Sequence, residues 1–446
     1  MIIYEIFKRL IKSLKKYLCS FREYEIIDIR ISKIFVSLMQ FLNFYNLFKI
    51  IVKEDNLKLI LLCIIFIISK KLEPYYLYIH PFYLPHKKTI LSIDKSKKQI
   101  LKSGRKYLDK CLKYKKYLKF KYIKQPQASV IVPLFNCEKT IASSLNSIQF
   151  QNITKIEIIL INDFSTDNTS EIIKKFKEKD HRIIIIENHK NMGALYSRSI
   201  ASLISKGYYI FNLDNDDLFF DKDVLDYIYK RANNEYLDIV GFLTVNLWNY
   251  TAEIKRMKNI YTIQYPEELY LEQPELGIWM IKFKGKFLVH NNMIWDKCIK
   301  SSIYKKAVDL LGIQRYSNYL SWAEDTCINY MIFNLAQNFK YVYKYGVLHF
   351  KSNFTSSLTQ SIDTKLFGEI FFLELIYDFS RNNTDDKNFI IGQAFYIYNR
   401  YNIRKFNNTS NCYYLKFVLN KIMNCSYLCK LNRRKIKKVF YSFFSD

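Results

Sequence analysis

Glycine and proline are scarce, with ten and seven in 446 residues. Neither GxxxxGK(S/T) nor GxGxxG occurs, so a P-loop nucleotidase and a nicotinamide oxidoreductase both lose their main support. A chain this poor in glycine would have to hold any phosphate group through a metal ion or cationic side chains. Cysteine offers no framework either. The nine are odd in number, and only Cys425 and Cys429 stand close, as CxxxC. Without paired CxxC spacing, free or buried thiols are expected in place of zinc sites or disulfides.

Long apolar runs are also missing. Leu59–Ile68 is cleanly apolar but about half the roughly 20 residues of a spanning helix. Ile34 to Val52 is interrupted by Ser37, Gln40, Asn43, Asn46 and Lys49. No leader with a small-residue cleavage site is visible, because Lys8, Arg9, Lys12, Lys15 and Lys16 break up the first 20 residues. The N-terminal region reads either as a membrane anchor or monotopic helix or as a soluble helical domain, and residues 57–69 alone do not decide between them.

What the chain does have is lysine, isoleucine, asparagine, tyrosine and phenylalanine, and a formal charge of +28. Such a balance fits a polyanionic partner. It also fits an AT-biased coding sequence that places lysine on solvated faces, and the lysines are spread along the chain. No specific nucleic-acid binding is expected; a membrane surface or an anionic nucleotide donor accounts for the charge equally well. Length predicts two or three domains. We divide the chain into a helical N-terminal region with a basic linker (1–125), a main domain (126–360) and a helical basic C-terminal region (361–446).

The pattern changes at Ala128. ASVIVP is a short, continuous, β-branched run, as expected of a strand buried on both faces. Ile141, Leu145 and Ile148 then fall on one helical face. Strands are predicted at Ile156–Ile161, Ile183–Ile186, Tyr208–Leu213 and Leu237–Leu243, with helices between them, one from about Gly193 to Ser205. Alternation of this kind implies right-handed βαβ units and a mostly parallel α/β sheet. Ligands bind such sheets beyond the carboxyl ends of the strands. Three polar clusters fall there: Pro133 to Asn136, Asn162 to Asp167, and Asp214 to Asp217. The last puts three carboxylates in four residues after the apolar strand YYIFNL. Either a Mg or Mn ion offsets their repulsion or the turn is a solvated helix cap. Arg198, on the helix after Gly193, is a candidate cation for a diphosphate.

ASVIVPLFNCEKTIASSLNSIQFQ, IEIILINDFSTDNT, NHKNMGALYSRSIA and YYIFNLDNDD together resemble the donor half of family 2 glycosyltransferases with a GT-A fold. Order and spacing agree over roughly 90 residues. The resemblance implies that Pro133, Asn136 and Asp163 surround the nucleoside, with Asp163 on the base. It implies that Asp214 and Asp216 form the DxD that holds metal and donor diphosphate, with Asp217 beside them. Phe164 stands where the family commonly has glycine. Asn292 to Lys297 resembles a segment of polysaccharide-type members, and Trp322, Ala323, Glu324 and Asp325 resemble the family's ED motif, which makes Asp325 the general base. Taken alone, Glu324 and Asp325 are ordinary charges at a helix N-terminus. His349 lies where some relatives place a histidine near the metal or diphosphate.

The implied reaction is inverting single displacement: Asp325 takes the proton of an acceptor hydroxyl while metal and Arg198 stabilise the leaving diphosphate of a nucleotide-sugar, a UDP-sugar by preference. The acceptor, whether glycan, lipid or protein, is not legible. A catalytically inactive scaffold on the same fold would be expected to have lost its carboxylates, and a nucleotidyltransferase to carry a glycine-rich first loop. Sequons at Asn168-Thr169-Ser170 and Asn353-Phe354-Thr355 would set glycans against the expected site. They lean toward a cytosolic catalytic domain, in a protein expected from its N-terminal region to be membrane-associated; soluble cytoplasmic and Golgi or ER placements stay open.

Overall fold

A computed structural model describes residues 106–114, 118–248, 293–312, 322–351, 361–380 and 410–423. It also describes, in short stretches, 269–273, 280–283, 286–289, 320, 389–390, 393–394 and 397. The N-terminal apolar stretches, Asn292, the sequon at Asn353 and the basic C-terminal run lie outside the described residues. Among the described residues no helix is long and apolar enough to cross a membrane.

Strands β1 (Ala128–Leu134) and β2 (Ile156–Asn162) are buried at every position, as their unbroken apolar runs require. They pair in parallel with Ala128 opposite Ile156. β3 (Ile183–Glu187) lies parallel on the far side of β2, and β4 (Tyr209–Asn212) lies parallel on the other side of β1. Helices α1 (Ile141–Gln149), α2 (Thr169–Lys177) and α3 (Ala194–Ile204) make the crossovers. The predicted face of α1, Ile141, Leu145 and Ile148, is fully buried. Burying each such side chain contributes roughly 1.5–3 kcal/mol.

Beyond β4 the sheet becomes mixed. After a two-residue strand β5 (Leu218–Phe219) and helix α4 (Val224–Asn234), the expected fifth strand is found as β6 (Ile239–Trp248). It does not lie against β4. The late strand β10 (Lys297–Lys300) enters antiparallel between the two. Its central Cys298 and Ile299 are completely buried. Only four residues long and flanked by lysines, it carries too little pattern to be read locally. In chain order, β7 (Tyr270–Glu272), β8 (Met280–Phe283) and β9 (Lys286–Val289) precede it, the last two forming a separate hairpin.

β11 (Asn338–Lys351) completes the frame, giving the order β3-β2-β1-β4-β10-β6-β11-β5, with β7 also on β11. It runs parallel to β6 with register shifts between Val342 and Tyr345 and between Tyr345 and Val347. Helices α5 (Ser301–Leu311) and α6 (Glu324–Leu335) lie between β10 and β11 in the chain, and α7 (Ile362–Phe379) and α8 (Ser410–Met423) come after β11. α7 packs so closely on the residues before α6 that a Cβ added at Gly368 would stand 2.1 Å from the Trp322 carbonyl oxygen. Its apolar residues belong to the same buried cluster as β1 and β2.

Candidate active site

The loops at the carboxyl ends of β1, β2 and β4 are tied to one another. Asn136, at a left-handed φ of 45°, accepts hydrogen bonds from the Thr166 amide (2.8 Å) and hydroxyl (3.3 Å). Asn215 donates to the Pro133 carbonyl at 3.0 Å, so the middle residue of the acidic turn anchors it to β1. Phe164 is left-handed too, with φ 65° and its ring half exposed. That conformation strains any side-chain-bearing residue, which accounts for the expectation of glycine there.

Asp163 is buried, and its carboxylate already accepts three hydrogen bonds: from Asn188 Nδ2 (2.7 Å), the Met192 amide (2.8 Å) and the Gly193 amide (2.7 Å). Gly193, with φ 86°, opens α3, a geometry only glycine adopts without strain. Asp163 therefore fastens the start of α3 to the end of β2.

Asp214, Asp216 and Asp217 bring carboxylate oxygens within 4.8 Å of one another. Burial, then the charges of Asp217 and Asp214, push the Asp216 carboxyl up to about 7. Asp217 is fully buried and accepts from His349 Nδ1 (2.9 Å) and from the Phe350 amide (3.0 Å). Burial raises its pKa and His349 opposes the rise. The cluster destabilises its own charge, and hard oxygen ligands crowded in this way fit a divalent cation.

Asp325 lies in the first turn of α6, launched by the left-handed Ala323 (φ 61°). Between it and the acidic turn sits Arg198. Its Nη2 donates to Asp214 at 2.6 Å and its Nη1 to Asp325 at 2.9 Å, with the arginine side chain only 5% exposed. One buried guanidinium thus joins a residue of the β4 turn to one that lies 127 positions from the arginine in sequence. Burial raises the pKa of Asp325 against the opposing pull of Arg198. Its neighbour Glu324 is pushed up to about 8 by burial and by Asp325.

The family model described as glycosyl transferase family 2 matches residues 129–308. This chain carries a family 2 glycosyltransferase domain. The UDP-Glc:alpha-D-GlcNAc-diphosphoundecaprenol beta-1,3-glucosyltransferase WfaP of Escherichia coli is 45% identical over 89 residues, 20% of this chain and 35% of that protein. The uncharacterized glycosyltransferase MJ1057 of Methanocaldococcus jannaschii is 29% identical over 222 residues, 49% of this chain and 71% of that protein. A crystal structure of S. aureus TarS 1-349 is 15% identical, covers 71% of this chain and 86% of that chain, and superposes with a TM-score of 0.46. The chain spans only 16%, 39% and 35% of the length of three curated relatives that it matches.

Within the family 2 domain, three further residues shape the site. The Trp295 ring stacks on His349 at 4.8 Å between centroids and 22° between planes, fixing the imidazole that faces Asp217. Asp296 and Lys297 form a buried ion pair at 2.7 Å, and Lys297 also donates to the Met293 carbonyl. The pair stiffens the turn whose Ile294 amide approaches Asp325 at 3.5 Å. A local signal existed in the segment Met293 to Lys297, but a run of five residues names no partner on α6 or β11.

Proposed function

We propose that the domain transfers a sugar from a nucleotide-diphosphate sugar, a UDP-sugar by preference, to an acceptor hydroxyl with inversion at the anomeric carbon. The observation that carries this reading is the convergence of Asp214, from the acidic turn after β4, and Asp325 on the single guanidinium of Arg198. Asp214, Asp216 and Asp217, with His349 behind them, would hold Mn or Mg. A divalent cation there supplies charge to offset the leaving diphosphate.

Asp325 acts as general base. Partial burial raises its pKa above the ordinary carboxylate value, which makes the carboxylate a stronger base, while Arg198 opposes the rise. The acceptor oxygen bonds to the anomeric carbon, the bond from that carbon to the diphosphate oxygen breaks, and the acceptor proton passes to Asp325. No covalent intermediate is needed. Pro133, Asn136 and Asp163 frame the nucleoside, and on binding the base Asp163 exchanges part of its bonding to Asn188.

The WfaP relative acts, by its name, on a diphospholipid-linked sugar, which makes a glycan or lipid-linked glycan the acceptor class to test first. The catalytic unit on this reading is residues 126–360. A screen of UDP- and GDP-sugars with Mn or Mg, scored by donor hydrolysis and transfer to saccharide and lipid-linked acceptors, tests it. Turnover of at least one donor is expected; binding without turnover of any donor would favour an inactive scaffold instead.

A further inference from the structure

We propose that Arg198 is a positioning residue, a shared counter-ion that aligns Asp325 and competes with a divalent cation for Asp214. The proposal rests on the transferase reading for its kinetic arm and stands without it for its metal arm. An arginine that gripped a diphosphate directly would be expected to present its terminal nitrogens to the donor. Here each terminal nitrogen already donates one of its two N–H groups to a carboxylate, at 2.6 Å to Asp214 and at 2.9 Å to Asp325. The inner nitrogen, Nε, has no acceptor among the described residues, so the hydrogen bonds that orient the guanidinium are those to the two carboxylates.

Two consequences follow from this arrangement. Asp325 is held at Oδ1 by Arg198 and more loosely at Oδ2, which accepts from the Ile294 amide at 3.5 Å, so Oδ2 is the oxygen assigned to the reacting proton. A cation bound at Asp214 draws that carboxylate away from Arg198 and leaves the guanidinium to Asp325. Loading of the donor side is thereby coupled to alignment of the base, and the coupling is reciprocal.

The test uses the full chain with Arg198→Gln and Arg198→Lys, each checked for folding by thermal unfolding. Manganese alone, titrated calorimetrically without nucleotide, should bind Arg198→Gln about tenfold more tightly than the parent, because a competing cation is gone. In turnover at saturating manganese, Arg198→Gln should lose on the order of 100-fold in kcat without a rise in donor KM. Arg198→Lys, which keeps the charge and loses the fork, should recover part of that loss. Weaker manganese binding, or a raised donor KM with kcat retained at saturation, overturns the proposal and makes Arg198 a diphosphate ligand. Should Arg198→Gln fail to fold, Arg198→Lys decides: a lowered kcat at unchanged donor KM supports the proposal, and a raised donor KM sinks it. If the parent turns over no donor, the transferase reading has failed, and if Asp325→Asn keeps the parent rate, the base assignment has; in either case the manganese titration still judges Arg198.

Discussion

The two halves of the sheet are built differently. On the β3-β2-β1-β4 side every pairing is parallel, and β1 and β2 are buried without interruption. On the β10-β6-β11-β5 side, antiparallel and parallel pairings alternate and β11 slips register twice. The regular half holds its polar residues in short loops at one edge, where neighbouring strands fix their spacing. The irregular half contributes a helix N-terminus, a stacked indole and a bulged strand, and each reaches the site by a long detour of chain. Regular βαβ units thus make the acidic ledge, and the less regular remainder delivers the group that would act on the acceptor.

The most damaging change to that division of labour is Asp325→Asn. A loss of kcat between about 100-fold and 10,000-fold is expected, with nucleotide binding unchanged, as judged by steady-state rates beside calorimetry. Transfer at the parent rate would remove the base from the second half altogether. Asp216→Asn addresses the first half. It should weaken manganese-dependent nucleotide binding by about tenfold or more. Binding that ignored both the substitution and the metal would leave the ledge without its assigned role.

Paired glycine substitutions compare the halves by packing. A Cβ at Gly207 would lie 2.4 Å from the backbone of Ala128 and Ser129, and one at Gly368 would lie 2.1 Å from the Trp322 oxygen. Each alanine variant should cost about 1–3 kcal/mol in chemical denaturation. Per folded molecule, only Gly368→Ala should also slow turnover, because Trp322 immediately precedes the turn that launches Asp325. Equal activity of the two folded variants would separate α7 from the site.

Smaller effects come from titration and strain. Burial and neighbouring carboxylates push Asp216 up to about 7 and Glu324 up to about 8, from ordinary values of 3.8 and 4.5. The native state therefore holds more protons than the unfolded chain between those limits, and stability should fall as pH rises from about 4 to about 8. Added manganese should flatten the part of the slope due to Asp216 and leave the part due to Glu324, a difference readable in melting temperatures across pH. Smallest of all, Phe164→Gly should relieve left-handed strain and raise stability by about 1 kcal/mol, measured by denaturant midpoint. A decrease would mean that the half-exposed ring contributes packing worth more than the strain it imposes.

Legibility in the sequence followed the same divide. β1, β2 and α1 could be read because burial on both faces, or on one stripe, writes itself into consecutive residues. Asp214, Asp216 and Asp217 stood out because like charges rarely crowd without a reason. β10 left no comparable trace: four residues held between strands already in place need little pattern of their own. The bond from Arg198 to Asp325 depends on how α3 and α6 pack, and no local spacing records a contact across that distance. Asn136 could be named as a loop residue, yet its bonds to Thr166 depend on a neighbouring crossover.

The slips in β11 have a further consequence. Phe339 stands opposite Ile239 and His349 opposite Asn246, so β11 uses three more residues than β6 to travel the same distance. At an unbroken register Asn246 would face Gly346, and no imidazole would stand beside Asp217. The irregular stretch from Tyr343 to Gly346 works as a spacer that sets which side chain arrives at the acidic turn and which way it points. Removing one residue there would turn His349 to the opposite face of the sheet, so this part of the site is calibrated by chain length as much as by residue identity.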